Sequence, residues 1–574
     1  MTPAPGKCEI HEIAFRFGSS PAAERLVVQP SSLTVFVGPN NGGKSLTLKE
    51  IHSSLFTDQH MNFAPKHCIR SEHRVVIGES RITVNYSRDQ ILSELTQADN
   101  RSWYIPGSLI DDPKDNFHIG DDYISQAAKG LAHAMQTGQN IVLRRKSLLL
   151  DGATRLALLK DQLGGDLKLP ARTVVQALLL NDQQRNKWRH SIFEALGWYP
   201  VLDPTDLQKI SVSLSREAPR IPLIERSFTE EALNFFKKCV PLSRTSDGVK
   251  AYCGICAAVM SADYDVIFID EPEAFLHPPL IRRLAKLLCQ TADEQKTSLF
   301  VATHSADFVM GCVQSGIDVN VVRLTYDGTV ATARLLAADR LAQMMKDPLL
   351  RSTGVLNALF HQGAVVCEGD ADRAFYQEIN ERLLNDAAGG SDSCLFLNCH
   401  SWQSIAKIVG PLRELGIPTA AIVDFDVVLT DQMPALLKAC SIPQLIADGF
   451  NAMRSRLTAQ SKIQLSFAGA DDKEWKQRIK REGLRAFSGE LSDAAEKMLR
   501  DLADYGIFVV PVGELERWLP QLSVGGHGPP WLIEIFERMR SNVQAPDYVR
   551  PESGDVWAFL TGVLRWVEDR RARR

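Results

Sequence analysis

The chain has 574 residues, of which 45% are hydrophobic and 23% charged, and its formal net charge is −4. That length exceeds what one hydrophobic core supports, so we expect a globular protein of two or three domains. The small net charge excludes a globally basic nucleic-acid binder, so any contact with nucleic acid would require a local basic patch. No run approaches the ~20 apolar residues that span a bilayer, and the 11 cysteines lack disulfide-framework spacing, so the sequence predicts a cytoplasmic protein without a membrane partner.

Two β-rich segments open the chain, at residues 10–15 and 33–37, and we expect them to form a hairpin-like start to a nucleotide-binding sheet. The second segment runs into a glycine-rich turn with the pattern GxxxxGKS. In such a turn the glycines let the backbone curl around phosphate, the lysine reaches the terminal phosphates, and the serine hydroxyl holds Mg²⁺. The turn therefore predicts ATP with one Mg²⁺ ion. The predicted binding residues are Gly38, Asn40, Gly43, Lys44 and Ser45, with Ser45 on the metal.

Helical periodicity dominates residues 85–235, for example at 148–150 and 174–179. We interpret this stretch as a mostly helical insertion between two halves of an ATPase. Its aromatic residues, such as Trp188, could stack on nucleic-acid bases. Aromatic residues at helical spacing are more often part of the core, and we expect that role here.

A serine and a glycine open the next predicted helix. Ser246 can cap that helix, and Gly248 allows a second anion to approach the same helix end. The CxxC pair Cys253 and Cys256 lies in the apolar run that follows, with no second pair at zinc-site spacing. We interpret these two cysteines as buried free thiols.

Two later strands carry polar residues at their C-terminal ends. Residues 265–271 contain four apolar residues and end in Asp270 and Glu271, the pattern of a buried parallel strand that delivers carboxylates to a phosphate crevice. We expect Asp270 to hold Mg²⁺ through water and Glu271 to polarise the attacking water. The strand at 298–303 ends in His304, which can reach the terminal phosphate.

In this order, these motifs resemble the ABC-type ATPase head shared by structural-maintenance, recombination and OLD-type proteins, over roughly residues 8–330. In that family two heads sandwich ATP, and each supplies a signature serine and glycine in trans. The resemblance therefore implies a homodimer or higher homo-oligomer in which Ser246 and Gly248 face the partner's nucleotide. The signature is reduced here, and the family's glutamine loop has no clear match. We therefore expect ATP binding without requiring fast hydrolysis.

A second group of acidic residues lies in the C-terminal half. One predicted strand ends in Glu368, with Asp372 shortly after it, and a later strand ends in Asp424 and Asp426. Alternation along a strand puts the two aspartates on the same side, and a helix at 404–409 makes a βαβ crossover that brings both strand ends to one edge. These oxygen ligands suit one or two Mg²⁺ or Mn²⁺ ions, which activate water for phosphodiester hydrolysis.

Glu368 with the Asp424-x-Asp426 pair resembles the Toprim domain of topoisomerases, primases and OLD-family nucleases. Asp372 falls where OLD nucleases place a second glutamate, and residues 507–516 resemble the OLD-type strand that supplies further acids. An ABC head followed by a Toprim domain defines the OLD family, which includes the nuclease subunit of the Gabija defence system and certain retron effectors. The metal-binding residues that the resemblance implies are Glu368, Asp372, Asp424, Asp426, Glu514 and Glu516.

One departure from the family pattern concerns a late lysine near the metals, because no lysine follows Lys497. Arg517 or Arg538 is the candidate replacement. Arginine is a poor proton donor, so its role there would be electrostatic. The alternative is weak cleavage.

A basic cluster precedes this region in one predicted helix. Charge runs are usually solvated faces, but such a cluster can also track a phosphate backbone, and both interpretations stay open. Its members are Lys473, Lys476, Arg478, Lys480, Arg481 and Arg485.

The predicted architecture is α/β. It consists of an ABC-type ATPase domain over residues 1–355, with the helical insertion at about 85–235, followed over residues 356–574 by a parallel-sheet Toprim domain with a C-terminal helical extension. The predicted function is an ATP-regulated, metal-dependent endonuclease that cleaves or nicks DNA in bacterial antiphage defence, with a helicase or reverse-transcriptase companion. The predicted catalytic residues are Glu271, His304, Glu368, Asp424 and Asp426.

Three alternatives remain at this point. The substrate could be RNA, including tRNA, because the metal chemistry does not distinguish the sugars. The chain could also be an ATP-driven nucleic-acid clamp or sensor with a silent Toprim domain. A primase or topoisomerase is disfavoured, because no zinc-binding cysteine array and no nucleophilic tyrosine context accompany the acidic residues.

Overall fold

The structure is a computed structural model that describes residues 6–56, 67–93, 96–97, 102–105, 117–120, 132–164, 167–168, 171–219, 224–352, 354–399, 404–430, 433–465 and 472–573. The chain divides into two compact units. The first comprises Met1–Tyr326 with Ala331–Ala342, and the second comprises Asp327–Val330 with Gln343–Arg574.

The boundary between the units lies near residue 342, earlier than the predicted boundary at 355. The short helix Pro348–Ser352 shows why, because Leu350 is buried and the helix contacts the 3₁₀ helix Val355–Phe360 of the second unit. An apolar segment folds with the core that removes it from water.

The strands are numbered in chain order over the described residues. They are β1 (Cys8–Phe15), β2 (Val27–Val28), β3 (Leu33–Val37), β4 (Ile77–Val84), β5 (Thr96–Gln97), β6 (Ser102–Ile105), β7 (Phe117–Gly120), β8 (Ser147–Leu150), β9 (Gln162–Leu163), β10 (Tyr199–Asp203), β11 (Lys209–Ser215), β12 (Val240–Pro241), β13 (Val266–Asp270), β14 (Ser298–Ala302), β15 (Val319–Tyr326), β16 (Ala331–Leu336), β17 (Gly363–Cys367), β18 (Cys394–Asn398), β19 (Thr419–Val423) and β20 (Ile507–Val509).

The α-helices are numbered in the same way. They are α1 (Lys44–Ser54), α2 (Arg88–Ser93), α3 (Ala132–Lys146), α4 (Thr154–Ala157), α5 (Val174–Leu180), α6 (Asp182–Leu196), α7 (Glu230–Lys237), α8 (Asp247–Met260), α9 (Pro278–Gln295), α10 (Ala306–Gln314), α11 (Ala338–Lys346), α12 (Pro348–Ser352), α13 (Asp370–Asn385), α14 (Ile405–Glu414), α15 (Met433–Ala439), α16 (Gln444–Gln464), α17 (Asp472–Glu482), α18 (Glu490–Ala503), α19 (Pro529–Met539) and α20 (Asp555–Arg573).

A six-stranded sheet in the order β16-β15-β3-β14-β13-β8 forms the centre of the first unit. Its neighbouring strands are parallel except β15 and β16, which form an antiparallel hairpin. β3 and β13 are almost continuous apolar runs, as expected for strands that are covered on both faces. The C-terminal ends of β3, β13 and β14 therefore meet at one edge of the sheet, where the predicted nucleotide motifs follow.

The predicted hairpin between residues 10–15 and 33–37 is wrong. β1 pairs antiparallel with β2 and β4 in a separate three-stranded sheet, whereas β3 lies inside the six-stranded sheet. β1 mixes buried and half-buried residues along its length, and β3 is buried throughout. The first pattern suits a sheet with one covered face and the second suits a central parallel strand, so the two segments belong to different sheets.

Within the described part of residues 85–235 more residues lie in helices than in strands, as expected, but the stretch is not an insertion throughout. In the part that the structure describes, β8 is an edge strand of the six-stranded sheet beside β13, and β9, β10 and β11 belong to an antiparallel sheet. Residues 148–150, which we interpreted as helical, are therefore a strand. A short apolar run has no period that distinguishes a strand from a buried helix. The helix expected at 174–179 is confirmed by α5.

Trp188 and the CxxC cysteines lie in the core, as predicted. Trp188 is fully buried on α6 and donates its Nε1–H to the carbonyl oxygen of Cys253 at 3.1 Å. Cys253 and Cys256 are buried free thiols on α8, and burial raises the pKa of Cys253 to about 12. These contacts fix α6 against α8.

A four-stranded parallel sheet in the order β18-β17-β19-β20 forms the centre of the second unit. β17 and β19 are direct neighbours, which confirms that the two predicted acidic strand ends lie at one edge. β18 was not predicted and lies outside β17. The C-terminal helices expected as an extension are part of the core, because α13 contacts both α19 and α20 and Trp531 and Trp557 are buried there. No helix within the described ranges combines the length and apolar character required to cross a membrane.

Candidate active sites

The phosphate loop after β3 has the left-handed backbone that phosphate binding requires. Gly38, Asn41 and Gly43 have φ angles of 144°, 62° and 86°, the positive values that favour glycine and asparagine. A Cβ atom at Gly38 would lie 1.9 Å from the carbonyl oxygen of Leu324 on β15, so a side chain has no room there. The fold therefore contains the predicted loop, with glycine where the backbone leaves no room for a side chain.

Lys44 lies across this loop at the first position of α1. Its Nζ donates to the carbonyl oxygens of Gly38 and Pro39, both at 2.8 Å. Burial lowers the pKa of Lys44 to about 8, although Glu271 and Asp270 act in the opposite direction. The ammonium group is therefore held inside the loop, where a bound phosphate would favour its charged form.

The predicted Mg²⁺ ligands Ser45 and Asp270 are in direct contact. Ser45 Oγ donates to Asp270 Oδ1 at 2.8 Å, which joins the start of α1 to the end of β13. Burial raises the pKa of Asp270, and the bond from Ser45 partly offsets that effect. A hydroxyl and a carboxylate at this spacing suit the Mg²⁺ that accompanies a nucleotide triphosphate.

Glu271 and His304 also lie together, at the ends of β13 and β14. His304 Nε2 is 3.6 Å from Glu271 Oε1, and the His304 N–H donates to Glu273 Oε1 at 2.6 Å. Burial and the nearby Lys44 lower the pKa of His304. Glu271 has a φ of 51°, an uncommon backbone for a residue other than glycine. Such strain is a feature of functional positions, which agrees with the predicted catalytic role.

Arg155 is a further residue at this site that the sequence analysis missed. It is buried on α4, and its Nη1 donates to the carbonyl oxygens of Asp270, at 3.0 Å, and of Glu271. It therefore fixes the backbone that carries both carboxylates. No motif could have identified it, because Arg155 lies far from β13 in the sequence and in the stretch that we expected to be an insertion.

Ser246 and Gly248 have local structural roles. Ser246 caps α8 by accepting the N–H of Val249 at 3.5 Å. A Cβ atom at Gly248 would lie 2.5 Å from the carbonyl oxygen of Phe275, so close packing alone requires a glycine. Packing within one chain explains both residues, and their contact with a partner's nucleotide stays a prediction.

In the second unit, Glu368 and Asp424 follow the neighbouring strands β17 and β19. The Asp424 N–H donates to Glu368 Oε1 at 2.8 Å, which confirms that these two acids share one site. Burial, with the negative charge of Asp424 next in importance, raises the pKa of Glu368 well above its ordinary range. A cation close to this carboxylate would therefore favour its charged form.

Asp372 and Asp426 are two further acids close to Glu368. The negative charges of both residues contribute to the raised pKa of Glu368, so both lie close enough to act on it. Burial raises the pKa of Asp372 to about 6 and that of Asp424 to about 7. Asp372 also accepts the N–H of Gly369 at 3.1 Å, which fixes it at the start of α13. Buried carboxylates that repel one another in this way are typical of a divalent cation site.

Lys480 supplies the positive charge at this cleft. Its Nζ lies 3.0 Å from Asp424 Oδ2, from a position on α17. Burial opposes the charged lysine, but Asp424 and Asp426 outweigh it and raise the pKa of Lys480. The sequence predicted Lys480 only as a member of a basic cluster. The lysine near the metals was expected late in the chain, and Lys480 lies before the last lysine, Lys497.

The two arginines considered as replacements have other partners. Arg538 pairs with Glu534 at 2.6 Å and with the carbonyl oxygen of Leu522 at 2.8 Å, so the structure does not bring it to the carboxylates. Arg517 lies 3.4 Å from Glu514 Oε1. Of these cations, Lys480 is the one that the structure places against Asp424.

Glu514 and Glu516 form a second acidic group after β20, joined by His527. His527 Nδ1 lies 2.5 Å from Glu516 Oε1, and the three ligand atoms all lie within 4.8 Å of one another. The N–H of Gly528 donates to the same Glu516 oxygen at 2.8 Å. The charge of Glu516 also raises the pKa of Asp372, so the two groups are close enough to interact electrostatically. This group could hold a second ion, and the sequence analysis missed His527.

Two protein-family models match the chain. The family described as "AAA domain, putative AbiEii toxin, Type IV TA system" matches residues 158–311. The family described as "Overcoming lysogenization defect protein-like, TOPRIM domain" matches residues 359–426. The first match contains Asp270, and the second contains Glu368 and Asp424.

Two curated relatives are nucleases by name. The Old nuclease of Escherichia phage P2 is 24% identical over 266 residues, which cover 44% of this chain and 42% of the relative. The OLD nuclease of Thermus scotoductus (strain ATCC 700910 / SA-01) is 28% identical over 172 residues, which cover 28% of this chain and 31% of the relative. The matches thus span less than half of each relative. With the family models, they confirm the expected ATPase domain followed by a Toprim domain of the OLD type.

Solved structures of SMC head domains are distant neighbours. One, a crystal structure of an SMC head bound to the C-winged helix domain of ScpA, has a TM-score of 0.33 and 13% identity, and the match covers 59% of this chain and 99% of that chain. A likeness of this size supports no argument about this chain.

We expect Mg²⁺ to raise the apparent Tm of the protein more near pH ~8 than near pH ~6. When no ion is bound, the pKa values of Asp424 (about 7) and Asp372 (about 6) in the folded state lie above their ordinary value of 3.8. The folded state therefore binds more protons than the unfolded state between these values. Its stability decreases as the pH rises through this range. Mg²⁺ competes with those protons and gains affinity as they leave. Differential scanning fluorimetry checks this, with Asp424→Asn expected to flatten the dependence; equal shifts at both pH values would contradict it.

Proposed function

We propose that this chain, an ATPase–Toprim protein of the OLD type, is an ATP-regulated and divalent-metal-dependent endonuclease that cleaves DNA. The observation that carries the proposal is the contact between Glu368 and the Asp424 N–H, in a cleft that also holds Asp372, Asp426 and Lys480. Buried carboxylates at one edge of a parallel sheet fit hard divalent cations, and a lysine beside them fits an anionic substrate.

Mg²⁺ or Mn²⁺ would be held by the four acids Glu368, Asp372, Asp424 and Asp426. A divalent ion at such a site polarises a phosphoryl oxygen and lowers the pKa of a bound water. Lys480 stabilises the negative charge that develops on the phosphate during attack, because its ammonium lies within 3.0 Å of Asp424. A second ion would use Glu514, Glu516 and His527, and its imidazole ligand would favour Mn²⁺ over Mg²⁺.

ATP would act through the first unit. Lys44, Ser45 and Asp270 would bind ATP with its Mg²⁺, and Glu271 and His304 would act on the terminal phosphate. Closure of two heads across shared nucleotides, with Ser246 and Gly248 in trans, would change access to the Toprim carboxylates. ATP can shift this equilibrium only if it binds the two states with different affinities.

The assignment of DNA as substrate and of antiphage defence as the biological role rests on the domain arrangement and on the named relatives. A helicase or reverse transcriptase as companion is part of the same proposal. RNA cleavage is the second candidate, because metal-assisted hydrolysis at these carboxylates would act on the phosphate and would not distinguish the sugars. Cleavage assays on matched DNA and RNA separate the two substrates.

We expect Glu368→Gln and Asp424→Asn each to lower the cleavage rate of supercoiled plasmid by about 100-fold or more, because loss of a metal ligand costs at least as much as loss of an outer-shell partner. Rates are measured with Mg²⁺ and with Mn²⁺ on matched DNA and RNA. Asp370→Asn is the control, since Asp370 is an exposed acid next to the cleft that pairs with Arg373. Unchanged cleavage in both cleft variants would refute a Toprim nuclease and favour the clamp or sensor.

We expect Lys480→Met to reduce the cleavage rate by about 100-fold while DNA affinity changes little, because the charge of Lys480 acts on the reacting phosphate. Lys476→Met is the matched control, an exposed lysine on the same helix α17. Its loss should weaken DNA binding slightly and leave the rate at saturating DNA unaltered. If both variants lost only affinity, Lys480 would belong to a DNA-binding face and not to the reaction.

We expect ATP to change the rate of plasmid cleavage by about 5-fold or more in either direction, the usual size of a coupling between two sites. Lys44→Ala removes the ammonium that lies in the phosphate loop and should abolish this response while Mg²⁺ binding in the second unit persists. Nicking is timed with ATP, with a non-hydrolysable analogue and without nucleotide. Equal rates under all three conditions would remove ATP control from the proposal and leave the nuclease intact.

A further inference from the structure

A group of soft-metal ligands lies in the first unit, distant from the nucleotide residues of α1. His52 is near the C-terminal end of α1, eight residues and therefore ~12 Å along the helix from Lys44. His67 and Cys68 come from the segment that leads to β4. Neither the phosphate loop nor the Toprim cleft uses these three side chains.

The three side chains converge. His52 Nδ1 lies 2.9 Å from His67 Nε2, and the ligand atoms of His52, His67 and Cys68 all lie within 4.8 Å of one another. Zinc with bonds of ~2.0–2.3 Å places its ligand atoms roughly 3–4 Å apart, which is close to this spacing. Binding one ion would require the hydrogen bond between His52 and His67 to open, so that both nitrogens and the Cys68 sulfur face the metal.

We propose that His52, His67 and Cys68 bind a zinc ion, with water in the fourth position. Two imidazoles and one thiolate are the ligands that Zn²⁺ prefers, whereas Mg²⁺ and Ca²⁺ prefer oxygen. On binding, Cys68 gives up its thiol proton to solvent and forms the Zn–S bond, and both imidazoles bind in their neutral form. The proposal does not depend on the proposed nuclease activity.

The surroundings of His52 fit a metal ligand. The residue is 1% exposed, and burial favours the neutral imidazole that binds metal. Its second ring nitrogen, Nε2, lies 3.2 Å from Ser147 Oγ on β8, which fixes the ring with Nδ1 on the side of His67. Phe56 and Phe268 contact the imidazole edge to face, with ring centroids 5.8 and 5.1 Å away, and exclude water from that side.

The segment that carries the other two ligands is already fixed to α1. The Ile69 N–H donates to Ser53 Oγ at 2.8 Å, and Arg74 donates to the carbonyl oxygen of Ser53 at 2.9 Å. The buried carboxylate of Glu50 accepts the N–H groups of residues 75–77 at 2.8–2.9 Å. These hydrogen bonds already position the segment beside α1. A zinc ion would add a further link between the C-terminal end of α1 and the segment before β4.

Elemental analysis of the full-length protein, purified without chelators, tests the proposal. We expect about one zinc per chain, since structural zinc binds tightly at neutral pH. Cys68→Ser and His52→Gln should each lose that zinc. Cys239→Ser is the matched control, because Cys239 is a half-buried thiol of the same unit that donates to the carbonyl oxygen of Phe235 at 3.4 Å, and it should retain the metal.

Cobalt substitution keeps the test independent of variant folding. Co²⁺ added to the metal-depleted wild-type chain should give thiolate-to-cobalt charge-transfer absorption with tetrahedral d–d bands. Asp424→Asn should preserve this spectrum, so failure of the nuclease proposal would not affect it. A wild-type chain with no stoichiometric zinc and no cobalt–thiolate band, or a folded Cys68→Ser variant that retains its zinc, would overturn the proposal and leave His52 and His67 as a hydrogen-bonded pair.

Discussion

Electrostatic repulsion among buried carboxylates is the constraint on which the second unit depends. Glu368, Asp372 and Asp424 all have raised pKa values because burial penalises their charge and each is close to another acid. Such a group is unfavourable to folding unless positive charge compensates it. Lys480 provides part of that charge, and a divalent cation would provide the rest. The fold therefore accepts a local cost, which the proposed cation would offset.

Both units assemble their polar sites in the same way, at the C-terminal edge of a parallel sheet. Parallel strands run in one direction, so residues that follow them gather at a single edge even when the sequence separates them widely. In the first unit this brings Ser45 to Asp270 and His304 to Glu271. In the second it brings Glu368 to Asp424. The apolar strands provide the stability, and the turns after them carry the chemistry.

Residues outside the motifs control the geometry of the sites. Arg155 binds the carbonyl oxygens of both acids at the end of β13, and Glu50 and Ser53 hold the segment before β4 against α1. Gly248 shows the opposite case, a motif residue for which close packing against Phe275 is a sufficient reason. A motif match thus identifies a position, and contacts in the folded chain decide whether the residue serves chemistry or packing.

The sequence by itself determined the phosphate loop, the polar strand ends of each unit and the order of the two domains, because each depends on residue types at short, fixed spacing. It also determined the strands that carry these motifs, since an apolar run that reaches a polar turn after a few residues has the length of a strand and is too short for a helix. The partner of β1, the strand character of residues 148–150 and the unit boundary depended on tertiary structure, because several segments compete for each place in a sheet. Three site residues, Lys480, Arg155 and His527, could likewise be identified only in the folded chain. Each approaches an acidic segment from another part of the sequence, and no local pattern shows which charged residue will do so.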